Sequence, residues 1–274
     1  MIEQIEYINH LNEKLNFGKN GLYAQSNDLH DFAYELVSYN NKISRFKKGI
    51  VSKSLPVIVF ADSDNEAIII KNKLYEVAEK DILSLQAGKL YINGYYLKCY
   101  ITASKKTEYL KDKKYLTATL TIQTDEPNWI KETTYTYVDE SHRVNEPGYN
   151  LDFNNDFPYD YTCINSAVTN YNFSECDFRL KIFGPVTDPE IKIAGHRYKV
   201  TCTLRATEHL IIDSLNKTII KYDRQGNTTN LFNNRDKESY IFEKIMPGGN
   251  AIAWSEAFKF ELTLLEKRGE PLWI

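Results

Sequence analysis

Residues 55–98 read LPVIVFADSDNEAIIIKNKLYEVAEKDILSLQAGKLYINGYYLK, and three elements follow from this one stretch. Leu55–Phe60 is an apolar run of strand length that leads directly into Ala61-Asp62-Ser63-Asp64. That tetrad supplies N-cap side chains, and Glu66 adds negative charge to the first turn, where the free N–H groups point. Ala67, Ile70, Leu74 and Val77 with Ala78 recur at steps of three and four, while Lys71, Lys73, Glu76, Glu79 and Lys80 take the other face. The spacing predicts an amphipathic helix over about 63–83. Lys89–Ile92 and Tyr95–Lys98 then flank Asn93-Gly94. Asn-Gly supplies the two positive φ angles of a type I′ turn, whose twist matches paired strands, so a β-hairpin follows.

Outward from this stretch, Tyr115–Gln123 alternates cleanly, with Leu116, Ala118, Leu120 and Ile122 toward a core and threonines away from it. The N-terminal half thus reads as one helix packed on a mostly antiparallel sheet. Asp125-Glu126-Pro127-Asn128 breaks the pattern, and residues 138–161 turn polar and irregular, as a linker does. Beyond 161 the helical period disappears. Runs at 178–183, 198–204, 210–213, 218–222 and 258–264 alternate with Gly184-Pro185, Asn216-Lys217, Arg224–Asn227 and Pro247–Asn250. Many short strands at such spacing predict a β-sandwich. The fold class is therefore β-rich α+β, with an N-terminal sheet-and-helix domain over 1–140 and an antiparallel β-sandwich over 141–274.

Composition bounds the function. The chain has 274 residues, 20 of them Tyr, with 12 Gly and 8 Pro, too few of the last two for a disordered or collagen-like chain. Net charge is −3, and cutting at residue 140 leaves 18 basic and 19 acidic residues before it and 16 and 18 after it. Neither half has the excess of Lys and Arg that a phosphate backbone demands, so no direct nucleic-acid binding is expected. The basic runs Arg45–Lys48 and Lys105-Lys106 with Lys111, Lys113 and Lys114 read as solvated loops. Met1–Glu6 is acidic and lacks the apolar run of a signal peptide, and no stretch approaches the roughly 20 apolar residues of a membrane span. Cys99, Cys163, Cys176 and Cys202 form no C-x-x-C pair, which disfavours zinc and reads as free thiols in a reducing cytoplasm.

Little in the sequence points to catalysis. The five histidines are scattered, and no H-E-x-x-H, G-x-S-x-G, P-loop or G-x-G-x-x-G motif occurs. With four cysteines and five histidines a Cys–His dyad is nearly free by chance. Asp152, Asp156 and Asp160 recur at steps of four, yet they lack the glycine and bidentate Glu of an EF-hand, so a solvated linker explains them better. Asp188-Pro189-Glu190 reads as a turn. No catalytic residue, cofactor or metal is expected. Tyr91, Tyr95, Tyr96 and Tyr100 crowd one hairpin, and two readings stand: simple packing, or an exposed face that meets another subunit.

Several stretches, taken in order, resemble the siphophage distal tail protein (Dit) family. They are Asp28–Phe32, Asn41–Val51, Pro56–Asp62 with its helix, Gly88–Tyr100, Ile182–Ile191, Leu210–Asp213, Thr218-Ile219, Pro247–Asn250 and Glu266–Trp273. The resemblance spans nearly the whole chain. It implies an N-terminal "belt" that closes with five copies into a homohexameric ring, and a C-terminal galectin-like sandwich. It also implies a place at the virion tail tip, after assembly in the host cytoplasm. The ring would lie between the tail tube protein and a tail-associated hub or lysin protein, with a receptor-binding protein docked in some relatives. The family brings no catalytic residues. On this reading the Tyr91–Tyr100 hairpin is the candidate ring interface, and Trp273 would pin the C-terminus by burial. A competing function is a carbohydrate-binding module reading host cell-wall glycan, for which Trp254 with Asn250 and Glu256 forms the candidate sugar platform, against plain burial of the tryptophan. An enzyme acting on cell-wall polymers is a third reading, and would need two carboxylates facing each other in a cleft.

Overall fold

The structure, a computed structural model, describes residues 3–108, 114–138 and 167–273. Cys163, His142 and the Asp152–Asp160 series lie outside the described residues. The chain divides into two compact units, Met1–Lys131 with Lys267–Ile274, and Glu132–Glu266. The division differs from a single cut at 140: the last eight residues, expected in the second domain, belong with the first.

The first unit is built from β1 (Ile5–Ile8), β2 (Lys14–Asn16), β3 (Gly18–Lys19), β4 (Leu22–Ala24), β5 (Glu35–Tyr39), β6 (Lys42–Lys47), β7 (Val51–Phe60), α1 (Asp64–Ser84), β8 (Gly88–Ile92), β9 (Tyr95–Glu108), β10 (Tyr115–Thr124) and the start of β11 (Trp129–Tyr137). Ser63 caps α1, its hydroxyl accepting from the Glu66 N–H at 3.2 Å, so one orphan donor of the first turn is satisfied. The helix stops where Leu85 enters the left-handed region at φ 51°. Asn93 and Gly94 take φ 52° and 80°, and β8 pairs β9 from Gly88↔Cys99 to Ile92↔Tyr95. The long β9 also pairs β10, and β10 pairs β7 through ten antiparallel positions. Leu116, Ala118, Leu120 and Ile122 point inward from β10, as their alternation requires, toward Leu55, Val57 and Val59 of β7 and Leu74 and Val77 of α1.

The second unit comprises the rest of β11, β12 (Ala167–Asn170), β13 (Asp177–Phe183), β14 (Val186–Thr187), β15 (Glu190–Ile193), β16 (His196–Lys199), β17 (Thr203–Leu204), β18 (His209–Asp213), β19 (Thr218–Tyr222), β20 (Thr228–Asn230), β21 (Gly248–Trp254) and all but the last two residues of β22 (Phe260–Arg268). One sheet runs β20-β19-β18-β13-β22-β11 and another β12-β21-β15-β16, and the described pairings are antiparallel. Phe178, Leu180, Leu262 and Leu264 of the first sheet share one buried cluster with Ile191, Ile193, Tyr198 and Ile252 of the second. Two sheets with their inner faces merged are a sandwich. The Gly184-Pro185 bond is cis, and a Cβ on Gly184 would lie 2.0 Å from the Arg205 carbonyl oxygen, so only glycine fits that close backbone approach.

Candidate functional site

The surface that stands out in the first unit is the β5–β6 ribbon. Asn40 and Asn41, at φ 49° and 58°, make the turn that joins its strands. Pairing runs Glu35↔Lys47, Leu36↔Phe46 and Val37↔Arg45, then skips a residue to Ser38↔Ile43. The skipped Ser44 ties itself down by donating its hydroxyl to the Val37 carbonyl at 2.8 Å. Register therefore sorts the side chains. Leu36, Phe46 and, past the bulge, Ile43 share one face, while Glu35, Arg45 and Lys47 occupy the other. Tyr34 extends the apolar face, its ring edge-on to Phe46 at 6.1 Å, and Lys48 lies over that ring while donating to Asn128 Oδ1 at 2.6 Å.

Nothing in the described chain covers this apolar face. The ribbon forms a sheet of its own two strands. Leu36, Ile43 and Phe46 are each about 60% exposed, and Phe32 and Ile50 beside the ribbon are exposed as well. A lone two-stranded ribbon is marginal in water, and an amphipathic one gains its stability from whatever buries the apolar side. The reading of Arg45–Lys48 as a solvated loop is corrected here: these residues form most of the second half of β6, with Phe46 at the centre of the apolar face. The Asn-Asn turn signal flanked by Val37 and Ile43 was the clue available in the sequence.

The tyrosine hairpin behaves differently from its candidate role. Tyr95 and Tyr96 are 2% and 5% exposed, so neither is available to another subunit. The reason is that the first residues of β9 are covered on both faces: Tyr95 joins the main core, and Tyr96 lies beneath Lys89 and beside Tyr91. Tyr91 and Tyr100 are half-buried.

The proposed sugar platform does not assemble. Asn250 is buried, and its amide donates to the Met246 and Gly248 carbonyls at 3.0 and 2.9 Å, which leaves it spent on its own turn. Trp254 is half-buried, its indole N–H donating to the Phe258 carbonyl at 3.2 Å and its ring edge-on to Phe260. Trp254 does line a shallow cavity of about 450 Å³ with Asp188, Glu190, Lys192 and Phe258, whereas Glu256 is half-buried and outside that lining.

Two further clusters belong to the architecture of the first unit. Asp81, wholly buried on α1, accepts from the Tyr7 hydroxyl at 2.5 Å and from the His10 backbone N–H at 2.9 Å, and its other contact is His10 Nδ1 at 2.5 Å. Burial first, then the neighbouring Cys99 and Asp81, push the Tyr7 phenol far above its ordinary range. The second cluster fixes the C-terminal segment: Trp273 stacks on His30 at 3.8 Å, and Asn93 donates to the Leu272 carbonyl at 2.9 Å. Trp273 stays 69% exposed, so stacking and not burial holds it, contrary to expectation. Among the described residues no group of three or more His, Cys, Asp or Glu is placed to hold a metal, and no helix is long and apolar enough to cross a membrane.

No family model and no curated protein matches the sequence. Solved structures do match. SPP1 Dit (gp 19.1), described as a paradigm of the hub adsorption apparatus in phages infecting Gram-positive hosts, aligns with a TM-score of 0.60 at 10% identity, over 98% of this chain and 100% of that one. A chain of the phage P2 baseplate in its activated conformation with Ca aligns at 0.65 and 13% identity, over 99% and 100%. The same baseplate with Sr gives 0.64 at 13% identity, over 99% and 100%. At such identities the likeness is one of fold, and over nearly its whole length this chain has a Dit-like fold.

Proposed function

We propose that this chain is a structural component of a phage or prophage tail tip, where six copies close into a ring that joins the tail tube protein to the tail-associated hub and adhesion apparatus. The end-to-end likeness of both units to SPP1 Dit and to a P2 baseplate chain is the observation that supports it, since a shared sandwich alone would match over one unit only. The uncovered apolar ribbon agrees with it, because permanent assembly is the ordinary way such a face is buried. The role is one of positioning and contact and assigns no catalysis to the chain. The second unit is the natural carrier of a receptor-binding or other baseplate partner.

Mass photometry and sedimentation of the purified protein over a rising concentration series test the reading. The expected species has six times the chain mass of 31.9 kDa and shows a central channel in single-particle images. A protein that stays at the mass of one chain throughout, and also when co-expressed with a tail tube protein and a hub protein, overturns it. A carbohydrate-binding role is the second reading, favoured only by the Trp254 cavity; isothermal titration with host cell-wall glycan is its test, with loss of binding expected in Trp254→Ala.

A further inference from the structure

The first unit holds a polar cavity of about 660 Å³ where the chain enters and leaves the ribbon and the C-terminal segment passes by. Three carboxylates line it, Asp28, Asp31 and Glu270, against one ammonium, Lys53. Lys53 is buried and spends its donors on backbone, reaching the Asp28 and Asp31 carbonyls at 3.1 and 2.5 Å. Asp28 is partly committed, since its Oδ1 accepts the Ser54 N–H at 2.7 Å. Among the described residues no donor reaches the carboxylate of Asp31 or of Glu270. His30 adds another acceptor. Its ring lines the cavity and is 9% exposed, and Nε2 meets Glu3 Oε1 at 2.8 Å. Nδ1 is buried with no partner among the described residues. An ionised carboxylate only accepts, so in the neutral ring Nε2 carries the hydrogen and Nδ1 is left with an unmatched lone pair. Trp273 completes the lining, one face stacked on His30 and the other open. The cavity thus offers acceptors, an excess of negative charge and an aromatic face, and it lacks a donor.

We propose that this cavity receives an arginine side chain of another protein chain, its guanidinium held by Asp31 and Glu270 and laid on the open face of Trp273. Three properties of a guanidinium answer what the cavity lacks. It carries only donors, in a planar fork that suits carboxylates. Its charge is fixed, so it offsets the unmatched acids. Its flat, weakly hydrated face stacks on an indole. A lysine ammonium meets the charge but has no flat face to stack, and a neutral hydroxylated ligand stacks but leaves the carboxylates uncompensated. Every residue of the site comes from one chain, so the inference goes beyond the ring reading and does not depend on it.

The experiment uses the full chain grown with 5-fluorotryptophan and followed by fluorine NMR. The chain has three tryptophans, so Trp129 and Trp254 serve as internal references for Trp273. The probes are N-acetylarginine amide, its citrulline counterpart, which keeps the shape without the charge, and Nα-acetyllysine amide. The arginine probe should shift the Trp273 resonance alone and saturably, and bind about tenfold more tightly than either of the others. Asp31→Asn with Glu270→Gln should abolish that preference. Neither position is buried and both changes are isosteric, so thermal unfolding should match the wild type. Glu76→Gln, an exposed acid on α1 outside the cavity, should leave binding unchanged. No shift of Trp273 with the arginine probe up to about 100 mM overturns the inference. Equal binding of citrulline or lysine overturns the guanidinium assignment, and both comparisons need only the wild type. Equal weakening by Glu76→Gln and by the cavity variant reduces the effect to overall charge and overturns it too.

Discussion

Replacing Asp81 with alanine tests whether the buried Tyr7–Asp81–His10 cluster fixes α1 against the sheet. In the folded chain Asp81 is 0% exposed and the acceptor for two groups that have little else. Without it the Tyr7 hydroxyl, itself 0% exposed, has only the Cys99 carbonyl at a long 3.3 Å to accept its proton, and the His10 N–H loses its acceptor. Each buried donor left unmade costs about 1–3 kcal/mol, and breaking a buried pair by removing one partner costs about 3–5 kcal/mol. The site has no slack with which to recover this. A Cβ on Gly88 would already lie 2.4 Å from the Tyr7 hydroxyl, so the ring is wedged against β8 and cannot swing toward another acceptor. We expect a loss of about 3 kcal/mol, which is roughly 6–12 °C in Tm for a chain of this size.

The assay is urea unfolding together with native-state hydrogen exchange, because the effect should be local. Peptides from 5–10, 74–85 and 88–99 should lose protection, while those of the sandwich, such as 178–183 and 210–213, should not. Tyr7→Phe removes one bond and leaves Asp81 with His10, so it should cost only about 1 kcal/mol. The double variant should cost less than the two singles combined, by the coupling of groups in contact. A penalty below about 1 kcal/mol for Asp81→Ala, or an equal loss of protection in both units, would refute the reasoning.

Other outcomes follow from single observations. Burial pushes the Tyr137 phenol up to about 12 from its ordinary 10.0, and Tyr198 is raised by the same cause. The unfolded chain therefore releases these protons first, so stability is complete below pH 10 and declines above it; Tyr137→Phe should flatten the decline between pH 10 and 12, read by urea unfolding at each pH. Gly184→Ala should destabilise by more than about 2 kcal/mol because its Cβ meets backbone, whereas Gly249→Ala, which meets open space, should stay within about 0.5 kcal/mol by thermal unfolding. Trp273→Ala removes the stack on His30, worth about 0.5–1.5 kcal/mol, and exchange of amides 28–31 and 269–273 should rise several-fold; unchanged exchange would show that the Asn93 bond holds the segment alone.

The contrast between α1 and the ribbon shows what a sequence discloses. Ser63 and the step-of-three-and-four pattern define α1 within a residue or two, because capping and periodicity are local. The Asn93-Gly94 hairpin and the β10 alternation are local in the same way. For the tyrosines of β9 packing and subunit contact both stayed open in the sequence, because a period of two says which residues share a face but not how many faces are covered; at Tyr95 and Tyr96 both are. Asn250 escaped for another reason: two backbone carbonyls of its own turn capture its amide, a contact no residue-type pattern announces. The C-terminal segment finds its partners some 180 to 240 positions away, at Asn93 and His30, beyond the reach of any window. The ribbon was hidden by its charges, since Arg45 and Lys47 mask the single Phe46 between them.

That masking has a physical consequence for assembly. Each unit closes its own core, around Trp129, Tyr7 and Leu120 in one and around Phe178, Tyr198 and Phe260 in the other, so folding does not call on the ribbon. Burying four side chains such as Tyr34, Leu36, Ile43 and Phe46 stabilises by about 1.5–3 kcal/mol each, which is energy held back until a surface arrives to cover them. A ribbon held by one turn and five pairings should therefore open readily in the free chain and stay closed in the assembly. Its amides, at 35–39 and 42–47, should exchange within seconds in the monomer and at least a hundredfold more slowly in the ring, while core amides of β7 and β10 change little. Equal exchange in the two states would mean that the ring, if formed, is closed by some other surface, and that the charged side of the ribbon faces a partner in its place.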